Sequence, residues 1–136
     1  MIELSACRVA VFDLDGTLID ANNKVLDGIL EGIEHLHSKK LKLYLASGRN
    51  VHSMRTIIPQ LDFLQHFEPV IICNDGNVLY NQQTHEVKII NSINDSILKA
   101  ILAELDGKAD FVIENNSRFY ASSKGAATKL FFIYIN

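Results

Sequence analysis

The sequence predicts an α/β fold: a doubly wound parallel sheet over residues 1–80, followed by a smaller α+β segment over residues 81–136. Three observations lead there. Short apolar runs rich in β-branched and aromatic residues recur at Val9–Phe12, Leu41–Ala46 and Pro69–Cys73, and each stops abruptly in small polar residues. Segments with helical spacing separate these runs, the alternation that a parallel sheet with crossover helices requires. After Asn77 the pattern changes to closely spaced short strands and one long amphipathic stretch.

Val9-Ala10-Val11-Phe12 reads as a buried strand that opens into the loop Asp13-Leu14-Asp15-Gly16-Thr17. Val25, Leu26, Ile29, Leu30, Ile33 and Leu36 then recur at helical spacing, which predicts a helix from Asp27 to Ser38 with Asp27 as its N-cap; Gly28 and Gly32 weaken its propensity. Leu41–Ala46 is a second strand, ending in Ser47-Gly48-Arg49-Asn50, and Val51–Ile58 forms a helix before Pro59. Pro69–Cys73 is the third strand, ending in Asn74-Asp75-Gly76-Asn77.

Val78–Tyr80 and Val87–Ile90 flank a polar turn and read as an antiparallel hairpin, with a domain boundary near residue 81. Ile93, Ile97, Leu98, Ile101, Leu102 and Leu105 mark an amphipathic helix that ends near Gly107. Phe111–Ile113 and Arg118–Tyr120 follow as strands, and Leu130–Ile135 is a last one, expected to leave an exposed edge.

Composition narrows the function. With 136 residues, 48% of them hydrophobic and 21% charged, the chain has the make-up of a globular protein with a real core. Its net charge is −3 and its 13 Lys and Arg are scattered, so it lacks the basic footprint needed to track a phosphate backbone, and nucleic acid is not expected as a partner. Cys7 and Cys73 lie far apart and outside any CxxC or Cys/His cluster, which argues against a disulfide framework or a structural zinc and fits a reducing cytoplasm. The start of the chain carries no basic leader with an apolar run, and no stretch reaches membrane-spanning length, so a soluble, unexported protein with no membrane partner is expected.

The three strand ends deliver Asp13 and Asp15, then Ser47 and Gly48, then Asn74 to Gly76. In open parallel sheets ligands bind beyond the carboxyl ends of the strands, so these loops are expected to share one crevice. Two neighbouring carboxylates repel each other, and a hard divalent cation, most naturally Mg²⁺, would neutralise Asp13 and Asp15. One carboxylate can then attack phosphorus while the other serves as acid and base. Gly16 and Thr17 would offer N–H groups to phosphate oxygens. The Ser47 hydroxyl and the Gly48 N–H could hold a phosphoryl oxygen, and Arg49 could pair with phosphate or simply sit at the rim.

Each motif has a plainer reading. Asp-x-Asp-Gly-Thr can be an acidic turn, Ser47 or Asn50 a helix cap, and Asn74-Asp75-Gly76 a simple turn. His35, His37, His52, His66 and His85 are dispersed, and Cys73 reads as a small buried hydrophobe.

Val11-Phe12-Asp13-Leu14-Asp15-Gly16-Thr17-Leu18 resembles the first motif of the haloacid dehalogenase (HAD) superfamily, and Leu45-Ala46-Ser47-Gly48-Arg49 resembles its second. Ile72-Cys73-Asn74-Asp75-Gly76 running into Val78-Leu79-Tyr80 is similar to the Cof-type subgroup. The resemblance implies a Rossmann-like core followed by part of an α+β cap. It also implies a Mg²⁺-dependent phosphatase acting on small phosphorylated metabolites, often sugar phosphates, through an aspartyl-phosphate. Asp13 matches the nucleophile and a metal ligand. Asp15 matches the acid/base, with its main-chain carbonyl on the metal. Ser47 matches the phosphate-binding hydroxyl, and Gly48, Arg49 and Asn74 match positions that line the site.

The chain departs from the family pattern in three ways. It lacks the third-motif lysine and the fourth-motif Gly-Asp-x-x-Asn-Asp, as if truncated before them, and Asp75 stands where the subgroup has glycine. Weak activity, or a catalytically inactive binding or interaction module, are the two expectations that follow. Missing core strands would leave a sheet face uncovered, with self-association through it. A receiver-like phosphoacceptor lacks its acidic pair here.

Overall fold

The computed structural model describes residues 7–105, 110–115, 118–121 and 130–134. The alternating apolar runs form the expected parallel core. Strand β1 (Val9–Asp13) pairs in parallel with β2 (Lys42–Ala46), and β2 with β3 (Val70–Cys73). The hairpin strands β4 (Val78–Asn81) and β5 (Val87–Ile89) extend the same sheet in the order β1-β2-β3-β4-β5, with β4 antiparallel to β3. The change of pattern near residue 81 is therefore a change of strand direction within one sheet. The compact units divide later, between Lys88 and Ile89.

Helix α1 (Ile29–Ser38) carries the first crossover and α2 (Val51–Ile57), with the 3-10 turns at Ile58–Gln60 and Asp62–His66, the second. Because the strands stand in chain order, two right-handed crossovers fall on the same face of the sheet. That face is the dry one. Register sets Leu43, Leu45, Ile71, Cys73, Val78 and Tyr80 on it, all buried, and Phe12 meets Phe67 edge-on at 5.8 Å between ring centroids. Ile33 of α1, Met54 and Ile57 of α2, and Leu61, Phe63 and Leu64 of the turns complete the core. On the opposite face of β1, Val9 is 49% exposed and Val11 57%.

One helix start differs from expectation. Asp27 does not cap α1; Gly28 does, at φ 76°, without a side-chain cap bond. That left-handed backbone costs glycine least, so the chain turns there and enters the helix at Ile29. Asn50, by contrast, caps α2 through its side chain, which accepts the Ser53 N–H at 2.7 Å.

The second unit contains α3 (Asp95–Leu105) and a three-stranded sheet of order β7-β6-β8. Strand β6 (Asp110–Asn115) pairs antiparallel with β7 (Arg118–Ala121) and parallel with β8 (Leu130–Tyr134). Leu98 and Ile113 are its buried centre, with Ile93, Ile101 and Leu102 packed on them. Strand β8 is an outer strand of this sheet among the described residues. Among the described residues no helix is long and apolar enough to cross a membrane.

Candidate functional site

The loop after β1 is anchored by what it buries. Leu14, Leu18 and Ile19 are at most 1% exposed. The Leu14 carbonyl accepts N–H groups from Thr17, Leu18 and Ile19 at 3.3, 2.9 and 3.1 Å. Burying three such side chains stabilises the loop by about 1.5–3 kcal/mol each, which leaves Asp13 and Asp15 turned to solvent. Gly16 supplies the φ of 76° that closes the turn, and its N–H donates to the Ile19 carbonyl at 2.8 Å. The Gly16 and Thr17 amides, expected to face phosphate, are thus spent inside the turn. The Thr17 hydroxyl donates to Asp13 Oδ2 at 3.4 Å.

Register brings the other loops alongside. Asp13 pairs with Ala46, and Ala46 with Ile72, so the carboxyl ends of β1, β2 and β3 lie side by side. The Ser47 N–H donates to the Ile72 carbonyl at 2.9 Å and the Asn74 N–H to the Arg49 carbonyl at 3.0 Å, which ties the second and third loops together. Ser47 is 5% exposed, and its hydroxyl accepts the Arg49 N–H at 3.1 Å. Asn74 and Asp75 both adopt positive φ, 50° and 52°. The three strand-end loops therefore stand side by side.

Arg49 lies across the mouth of this arrangement. Its Nε donates to Asp15 Oδ2 at 2.8 Å and its Nη2 to Asp15 Oδ1 at 2.6 Å, a bidentate pair. Nη2 also donates to Asn23 Oδ1 at 2.7 Å, and Nη1 reaches Ser53 Oγ at 3.5 Å. The hydrogen bond from Arg49, opposed by burial and aided by the charge of Arg49, holds the Asp15 carboxyl below its ordinary range, and Asp15 in turn raises Arg49. Sequence reasoning left Arg49 between phosphate and the rim and missed Asn23 and Ser53. Asn23 lies 26 residues from Arg49, and nothing local in the Asn22-Asn23 pair signals the contact.

An open groove of about 750 Å³ lies elsewhere in the same unit, between Leu30 and Glu34 of α1, Ile58 to Phe67, and Gln82. None of Asp13, Asp15, Ser47 and Arg49 lines it.

The profile of the haloacid dehalogenase-like hydrolases matches residues 10–133. The chain belongs to this family. An HMP-PP phosphatase of Enterobacter sp. is 37% identical over 54 residues, which cover 40% of this chain and 20% of that protein. An HMP-PP phosphatase of Citrobacter koseri is 25% identical over 119 residues, 85% of this chain and 41% of that one. The crystallised subclass IIB sugar phosphatase BT4131 superposes with a TM-score of 0.68 at 18% identity, over 93% of this chain and 52% of its own. This chain therefore spans 20% and 41% of the length of those two curated relatives.

The donor set suits a hard cation in kind, being all oxygen. Asp15 has both side-chain oxygens on Arg49, whereas Asp13 accepts the Thr17 hydroxyl at 3.4 Å. Mg²⁺ ordinarily binds through one or two carboxylates and keeps several waters, which such a sparse set allows. Among the described residues no group of three or more His, Cys, Asp and Glu comes together.

Proposed function

We propose that this HAD hydrolase is a Mg²⁺-dependent phosphatase of small phosphorylated metabolites, sugar phosphates among them, working through an aspartyl-phosphate on Asp13. The observation that carries the reading is an exposed Asp13 with Asp15 two residues on, at the joined ends of three parallel strands. The phosphatase names of the relatives support the substrate class. Asp13, with the Asp15 main-chain carbonyl, would hold Mg²⁺, which when bound offsets the charge of phosphate.

An Asp13 carboxylate oxygen forms the new bond to phosphorus as the bond to the leaving oxygen breaks, and Asp15 gives that oxygen its proton. Asp15 then takes a proton from water, whose oxygen attacks the phosphorus and frees Asp13 and inorganic phosphate. Arg49 keeps Asp15 ionised and ready for this second half. In the first half Asp15 must carry a proton on Oδ2 in place of its bond from Arg49 Nε, while Oδ1 stays on Nη2. Ser47, Gly48 and Asn74 border the phosphate, and the Gly16-Thr17 turn keeps the loop in shape rather than donating its own amides.

The test is release of inorganic phosphate from an aryl phosphate by the full chain, with Mg²⁺ or with chelator, against Asp13→Asn. Metal-dependent release lost in the variant supports the reading. A folded chain that binds phosphate without turnover overturns it in favour of an inactive binding module.

A further inference from the structure

We propose that Asn23 is a positioning residue, one that sets the Arg49 guanidinium on Asp15 and thereby fixes the carboxylate that moves protons. The proposal rests on the phosphatase reading for its role, but not for its geometry.

A bidentate pair alone leaves a guanidinium free to pivot about the line through the two carboxylate oxygens. A third acceptor off that line removes the freedom. Asn23 Oδ1 is that acceptor, at 2.7 Å from the same Nη2 that reaches Asp15 Oδ1 at 2.6 Å, so both Nη2 protons are used. Ser53 Oγ, at 3.5 Å from Nη1, is a weaker brace on the far side. Arg49 thus makes contacts into three segments: the loop after β1, the turn at 20–24 and helix α2. An arginine with its fork so committed acts on chemistry through Asp15 and not by gripping phosphate.

The acceptor has the right chemistry and a firm mount. A neutral amide oxygen holds the cation without competing with Asp15 for its charge. Asn23 sits at φ 62°, a left-handed backbone that asparagine tolerates better than most residues. The turn beneath it is closed by Asp20, whose Oδ1 accepts the Asn22 and Lys24 N–H groups at 2.8 Å each and whose carbonyl accepts the Asn23 N–H at 3.0 Å. The Asp20 N–H donates to the Lys24 carbonyl at 2.8 Å. The side chain that meets Arg49 therefore extends from a stiff support.

The experiment reads rotation of the Arg49 guanidinium about its Nε–Cζ bond by nitrogen NMR on the full chain, in wild type, Asn23→Ala and Asn23→Asp. Wild type is expected to rotate slowly, Asn23→Ala to rotate about tenfold faster, on the scale of one hydrogen bond lost to a charged group, and Asn23→Asp to restore the slow rate. Unchanged rotation in Asn23→Ala, or failure of Asn23→Asp to restore it while the amide spectrum stays native, overturns the proposal. With an aryl phosphate, Asn23→Ala is expected to lower kcat and leave KM unchanged; a raised KM with kcat intact overturns it as well. A wild-type chain with no turnover sinks the phosphatase reading, and the rotation rates still decide this one.

Discussion

A Cβ built on Gly48 would lie 2.9 Å from Asp75 Oδ1, so the second strand-end loop has the third loop's carboxylate resting directly on it. Gly48 has no positive φ to explain it, and close approach is the physical reason for glycine there. The obstructing atom is the far end of an exposed side chain, which can swing away. Gly48→Ala is therefore expected to cost less than about 1 kcal/mol in urea unfolding and to displace the Asp75 carboxylate. In an Asp75→Gly background, which also relieves the φ of 52° at that position, the same substitution should cost nothing measurable. Strict additivity of the two changes would refute the contact.

Asn50 carries the link between the site and its supporting helix. Its side chain accepts the Ser53 N–H at 2.7 Å, while its carbonyl accepts the Met54 N–H at 2.9 Å. Asn50→Ala should cost about 1 kcal/mol, measured by urea unfolding, and Asn50→Asp or Asn50→Ser should recover most of it. Because Ser53 braces Arg49, the alanine variant should also loosen the grip on Asp15.

The parallel core was readable because its strands are continuous apolar runs with abrupt polar ends, a pattern that buried strands force on a sequence. Asp13, Asp15, Ser47 and Asn74 were placed at one end of the sheet by the same signal. What sequence reasoning missed was set by geometry between distant segments. For the Arg49 fork the sequence offered phosphate or the rim, and only the folded turn at 20–24 brings Asn23 to it. Asp27 looked like a helix cap by residue type, but the left-handed Gly28 turned the chain one residue later. The amides of Gly16 and Thr17 were assigned outward because glycine permits it, whereas closing the turn over buried Leu14 consumes them.

Acid should weaken the fold at the turn beneath Asn23. Asp20 is held below the ordinary carboxylate value of 3.8, first by the Lys24 N–H and then by the Asn22 N–H. A folded value below the unfolded one means that folding favours the ionised form, so its contribution is complete above 3.8 and is lost as pH falls through the folded value. Asp20→Asn keeps an acceptor and removes the charge. The stability gap between wild type and this variant should be constant above about pH 5 and close below it. A gap that widens on acidification would contradict the sign. Asp15 behaves in the same sense through Arg49, and Arg49→Ala should flatten its share of the acid limb.

Val9 and Val11 share the exposed face of β1, two residues apart on an outer strand of the described sheet. At 57% exposure Val11 gains little from the core, while β-branched side chains beside an open strand edge invite pairing with another chain. Val11→Lys places a long charged side chain on that face at a cost in folding stability of about 0.5 kcal/mol. Wild type is expected to gain apparent mass with concentration in light scattering, and Val11→Lys to stay at one size with an unchanged circular dichroism spectrum. Equal mass for both proteins across the concentration range would show that this face does not drive association.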